Sequence, residues 1–133
     1  MTTHTNTPRR WGPERTELRG RPPAAAPPGV LDALARDVDW TVRAAVARNP
    51  ATPPDVLAAL AVDDEWYVRE AVARNPSTPP ETLTALATDP NLDVREAVAG
   101  NPSTPAVALV ALAADLHWYV RVAASAAQAR RSD

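Results

Sequence analysis

Val42-Arg43, Val68-Arg69, Val94-Arg95 and Val120-Arg121 lie 26 residues apart, and Asn49-Pro50, Asn75-Pro76 and Asn101-Pro102 keep the same period. Self-similarity at a fixed interval of roughly 20–50 residues marks an array of stacked units and outranks any local pattern. It predicts an all-α solenoid of four 26-residue helical pairs, with units 30–55, 56–81, 82–107 and 108–133, so that residues 26–133 form the repeat domain. A unit this small cannot bury its own apolar face. It gains order only by stacking on the next.

Residues 1–25 show no period and carry Pro8, Pro13, Pro22 and Pro23. Such a composition buries too little apolar surface to offset ordering entropy, so a disordered arm is expected there. The first 29 residues hold five Arg against Glu14 and Glu17, whereas the whole chain carries −2. A basic arm of this kind either stays a solvated tail or touches nucleic acid or an acidic partner. Trp11 is its one unexplained residue. Over the whole chain, Lys, Phe and Cys are absent. The missing cysteines exclude disulfides, a thiolate metal site and a cysteine nucleophile. They also fit a reducing cytosol, and the expected location is cytoplasmic. Arg in place of Lys, with abundant Ala, points to GC-rich codons in a bacterium. No apolar run is long enough to span a membrane, and the N-terminus lacks the apolar region of a secretory signal.

Inside each unit the local signals describe two short helices. The first is expected to open at Thr-Pro-Pro-Asp/Glu (52–55 and 78–81), with Thr as N-cap, Pro at the first helical position and an acid in the first turn. Its leucines are paired: Leu31/Leu34, Leu57/Leu60, Leu83/Leu86 and Leu109/Leu112. Helices of about two turns are unstable alone, and part of a pair is open to 3₁₀ geometry. The second helix is expected to start at Asp37, Asp63, Asp89 and Asp115, a register taken from Asp89-Pro90. Val42, Ala45 and Val46 then share a face, as do their counterparts in the next two units. The helix is expected to stop at Asn49, Asn75 and Asn101, with Asn in the left-handed C′ position and Pro preventing continuation. The fourth unit has Ala127-Gln128 in place of Asn-Pro, so its last helix runs on. Val122 and Ala126 leave that helix an apolar outer face, which invites cover by a second copy or a partner.

The phrase Asp-x-Asp/Glu-Trp-x-Val-Arg-x-Ala-Val-Ala-Arg-Asn-Pro-x-Thr-Pro-Pro-x-x-Leu-x-x-Leu-Ala-x-Asp resembles the leucine-rich repeat variant family, in the style of HEAT-like repeats. The resemblance covers residues 30 to about 125. It implies a right-handed superhelix of helices, α with α or 3₁₀, and not the strand-lined horseshoe of ordinary leucine-rich repeats. It implies no catalytic activity. The family includes a member with a cysteine-ligated iron–sulfur module, and without cysteine that feature does not carry over.

Two sets of residues are candidates for a role. Asp37, Arg43, Asp63, Arg69, Asp89, Arg95, Asp115 and Arg121 recur once per unit and suggest a structural ladder in which each Arg reaches the Asp of an adjacent repeat. The rival for these Arg is a phosphate-binding stripe. Tyr67, Glu70, Arg74 and Tyr119 lie on the varying face of the second helix and are the candidate partner-binding residues. Glu70 and Arg74 also satisfy the i, i+4 rule of a solvated face. Trp40, Trp66 and Trp118 share a position that Leu92 fills in the third unit, which favours packing over an aromatic ligand ladder. His4 and His117 stand apart from any nucleophile, and no catalytic, cofactor or metal constellation is legible. The expected function is a non-catalytic protein-interaction scaffold with an unidentified protein partner, and self-association through the C-terminal helix is a further option. The alternative is a HEAT-like nucleic-acid-binding protein using Trp, Arg and the basic arm, against which the acidic repeat region argues.

Overall fold

A computed structural model describes residues 28–132. The arm expected over 1–25, with Trp11 and His4, lies outside the described residues. Eight helices follow one another: α1 (Pro28–Leu34), α2 (Trp40–Arg48), α3 (Pro54–Leu60), α4 (Trp66–Arg74), α5 (Pro80–Leu86), α6 (Leu92–Gly100), α7 (Ala106–Leu112) and α8 (Trp118–Ser132). All eight are α-helices, and there is no strand among the described residues. The result is an α-solenoid of four helical pairs packed in register.

The even-numbered helices form a continuous spine, α2 on α4 on α6 on α8. The odd-numbered helices lie along it, each touching the spine helix that follows it and, from α3 on, the one before it, and make little contact with one another. Between the two layers runs one core. Leu31, Leu57, Leu83 and Leu109 point in from the short helices and meet Val42, Val46, Val68, Val72, Val94, Val98 and Val120. Ala45, Ala71 and Ala97 let the spine helices approach closely, as do the fully buried Ala47, Ala73 and Ala99. Leu and Val fill the space the alanines leave, as close packing requires.

The helix boundaries depart from the sequence expectation in three places. The spine helices begin at Trp or Leu, not two residues earlier, and their N-caps are Asp39, Glu65 and Asn91. The recurring Asp instead closes the preceding turn: the Oδ1 atoms of Asp37, Asp63, Asp89 and Asp115 accept from the backbone N–H two residues on, at 2.8–2.9 Å. Pro90 sits inside that turn, not in the first turn of the helix. Second, Thr52, Thr78 and Thr104 do not cap the helix ahead of them. Their hydroxyls donate backward to Val46 O, Val72 O and Val98 O at 2.6–2.7 Å. The N-cap position falls to Pro53, Pro79 and Pro105, which have no side-chain bond to offer. Asp55 and Glu81 still sit in the first turn, where they complement the helix dipole. Third, Asn49, Asn75 and Asn101 are extended, with φ between −75° and −81°, and no described residue has positive φ. These asparagines are kept for their amides.

Candidate interaction surface

Two ladders of polar side chains run the length of the solenoid. In the first, Arg43 Nε and Nη2 donate to Asp63 at 2.7 and 3.1 Å, Arg69 to Asp89 at 2.7 and 3.2 Å, and Arg95 to Asp115 at 2.8 and 3.2 Å. Each guanidinium is bidentate on the carboxylate of the following repeat. Its remaining nitrogen, Nη1, donates to the carbonyl of its own repeat's Asp: Asp37, Asp63 and Asp89 at 2.7–2.8 Å. Arg69 and Asp89 keep only 15% and 5% of their side-chain surface exposed. The Asp63 hydrogen bond raises the Arg43 guanidinium above its ordinary value against the opposing effect of burial, and Asp89 does the same for Arg69. Arg121 repeats half of this geometry. Its Nη1 donates to Asp115 O and Leu116 O at 2.8 and 3.0 Å, and among the described residues no carboxylate meets it.

The second ladder is made of asparagines. Asn75 Nδ2 donates to Ala47 O and Asn49 O at 2.7 and 3.0 Å, and Asn101 Nδ2 donates to Ala73 O and Asn75 O at the same distances. Each Oδ1 accepts from the backbone N–H two residues on. A buried amide thus satisfies the open carbonyls at the end of the previous spine helix. Ser77 and Ser103 add bonds to Pro50 O and Pro76 O. At the last repeat Arg131 takes over, donating to Thr104 O, Asn101 O and Pro102 O at 2.6–3.2 Å. The sequence showed the period of these asparagines but not their cross-repeat bonds, and nothing marked Arg131.

Away from the ladders, the spine presents a lateral face. Tyr67 is half exposed, and its ring stacks on Trp66 at 3.9 Å and on Trp40 of the previous repeat at 5.1 Å between centroids. Beside it Arg74 donates to Glu70 at 2.9 Å, an exposed pair one turn apart. Tyr119 is also half exposed and stacks on Trp118 and His117. His117 Nδ1 accepts from Tyr119 N, which places this histidine at the start of α8. Asp93 and Glu96 carry the face across the third repeat, while Ala44, on the same face by periodicity, is buried. The tryptophans divide: Trp66 and Leu92 pack against the core, whereas Trp40 and Trp118 stay substantially exposed.

On the opposite side, the spaced odd-numbered helices leave open grooves. One of about 690 Å³ lies between α3 and α5, and one of about 600 Å³ between α5 and α7. Ladder residues Arg69 and Asp89 line the first, Arg95 and Asp115 the second. Among the described residues no group of three His, Cys, Asp or Glu side chains is placed to hold a metal ion, and no helix is long and apolar enough to cross a membrane.

Repeating helical pairs, a shared core and side-chain ladders that step from unit to unit define a helical-repeat solenoid. The model of the leucine rich repeat variant family matches residues 40–65, 66–91 and 92–117, and the chain belongs to that family. No curated protein and no solved structure matches the chain. Helical-repeat families of this kind typically serve as interaction modules and are generally non-catalytic.

Proposed function

We propose that this solenoid is a protein-binding scaffold whose lateral spine face is the recognition surface, with Tyr67, Glu70, Arg74 and Tyr119 as its contact residues. The observation that carries the reading is Tyr67, half exposed yet held by rings from two repeats. An aromatic anchor already fixed in place loses little side-chain entropy on binding. Tyr and Arg are also among the residue types enriched at interface hot spots. The flanking Glu70–Arg74 pair and the acidic Asp93 and Glu96 set a charge pattern that a partner must match. The nucleic-acid reading finds less support. Arg43, Arg69 and Arg95 are spent on carboxylates, and carboxylates outnumber arginines over the described residues.

The test begins with proximity labelling in the native host, followed by affinity measurement with a partner so identified. The combined Tyr67→Ala and Arg74→Ala variant is expected to bind at least tenfold more weakly at unchanged helicity. Undiminished affinity would remove these residues from recognition.

A further inference from the structure

From the second repeat on, one side of each spine helix is covered by the spine helix before it. Asn75 and Asn101 lie on that side and reach carbonyls of the preceding repeat, and Tyr67 lies there against Trp40. Counted at about 100° per residue, Ala71 and Ala97 share it. They are 4% and 5% exposed. Among the described residues α2 has no spine helix before it, and α1 meets α2 on the core side, as α3 meets α4. The corresponding side of α2 carries Ala45 and Asn49, and both are 0% exposed. A side without a neighbour looks different: Ser125, at the repeat position of the buried Ala47, Ala73 and Ala99, is exposed.

Both polar ladders point to where the cover lies in the chain. A buried amide requires acceptors. Asn75 Nδ2 takes the carbonyls 28 and 26 residues upstream, and Asn101 does the same. The same steps back from Asn49 arrive at Arg21 and Pro23. Asp63, Asp89 and Asp115 each take a guanidinium from 20 residues upstream. The same step back from Asp37 arrives at Glu17, which Arg15 and Arg19 flank within two residues.

We propose that residues 11–27 of this chain dock on the side of α2 that holds Ala45 and Asn49, and so cap the solenoid at its N-terminal end. Trp11 and Leu18 supply the apolar contact, carbonyls of the Arg21–Pro23 run receive the Asn49 amide, and Arg15 or Arg19 grips Asp37. A segment too polar to fold alone gains order by docking on a surface that is already built. The occupant follows from the burial itself. A single copy of the chain already covers Ala45, so neither a second copy nor a partner is required. Apart from residues 1–27, only Asp133 lies outside the described part, and it follows α8 at the other end of the solenoid. The cap is separate from the face proposed for recognition and does not rest on that reading.

The chain has no cysteine, so a single introduced thiol reports the cover in the full-length protein. The thiol of Ala45→Cys is expected to react with a disulfide reagent as slowly as that of Ala71→Cys, and at least about tenfold more slowly than that of Ser125→Cys. Adding Trp11→Ser and Leu18→Ser is expected to speed Ala45→Cys at least about tenfold while changing Ala71→Cys less than about twofold. In the chain without a thiol, the Asn49 side-chain amide is expected to exchange with solvent as slowly as that of Asn75, and faster once Trp11→Ser and Leu18→Ser are made. That second measurement stands if Ala45→Cys disturbs folding. Overturning results are an Ala45→Cys thiol as reactive as Ser125→Cys at unchanged helicity, or protection of Ala45→Cys and Asn49 that survives the loss of Trp11 and Leu18. Protection that disappears on dilution assigns the cover to a second copy and overturns the proposal as well.

Discussion

A guanidinium clamped between a carboxylate and a backbone carbonyl behaves differently from one in an exposed pair on a helix surface. Arg69 has both kinds of acceptor and is largely buried, while Arg74 meets only Glu70 and stays 62% exposed in its side chain. Arg69→Ala strands the nearly buried Asp89 and is expected to cost about 3 kcal/mol or more. Arg74→Ala should cost less than about 0.5 kcal/mol. Calorimetric melting of both variants checks this, and equal losses would refute a structural role for the ladder. The Arg95–Asp115 rung gives the protein an acid limit. Burial pushes the Asp115 carboxyl up, but Arg95 and the His117 N–H outweigh it and hold the group below its ordinary value of 3.8. The folded chain therefore favours the ionised form. That stabilisation is complete above the unfolded value, at about pH 5 and higher, and drains away as pH falls through the lower folded value. Asp115→Asn should melt lower than wild type at neutral pH and lose less further stability between about pH 5 and pH 2.

At the scale of the helix, short elements survive because their ends are tied to neighbours. Asn75 supplies two donors to the end of α2 and one acceptor to Ser77, all with buried or half-buried partners. Asn75→Ala leaves those groups unmet and is expected to cost about 2–4 kcal/mol in a urea titration. A loss below about 1 kcal/mol would show that the asparagine ladder is incidental. Gly100 is the opposite case. It ends α6 where α2 and α4 carry Arg48 and Arg74, it has no left-handed φ, and a Cβ there meets nothing within 4 Å. Gly100→Ala should raise the urea midpoint, by up to about 0.5–1 kcal/mol of stability, because the unfolded chain loses freedom. The helices themselves were readable from Leu pairs, Val-Arg and Asn-Pro. Their caps were not, because Thr and Asp can bond forward or backward along the chain. Burial of Thr52 and Thr78 against the previous helix decides for the backward bond.

Across the whole molecule, stability is a chain of nearest-neighbour interfaces. Excising residues 66–91 joins Glu65 to Leu92 in register and leaves Arg43–Asp63 and Arg95–Asp115 as the remaining rungs. The shortened chain is expected to fold, with helical circular dichroism per residue preserved and a melting temperature lower than wild type. Unchanged stability would contradict coupling between repeats. The period of 26 residues, the two-helix unit, the apolar face of each helix and the alternation of Arg with Asp were all legible without coordinates. They are one-dimensional facts, set by spacing along the chain. Direction was not legible: that the Arg69 guanidinium grips the carboxylate of the repeat after it, at Asp89, and that Asn101 reaches back to Ala73, depends on how one repeat is placed against the next. The same holds for the end of the solenoid. The sequence marks the fourth unit as irregular, but only the packing of α8 shows Arg131 bonding the carbonyls of Asn101 and Thr104, since a side chain's partner is chosen by distance in space.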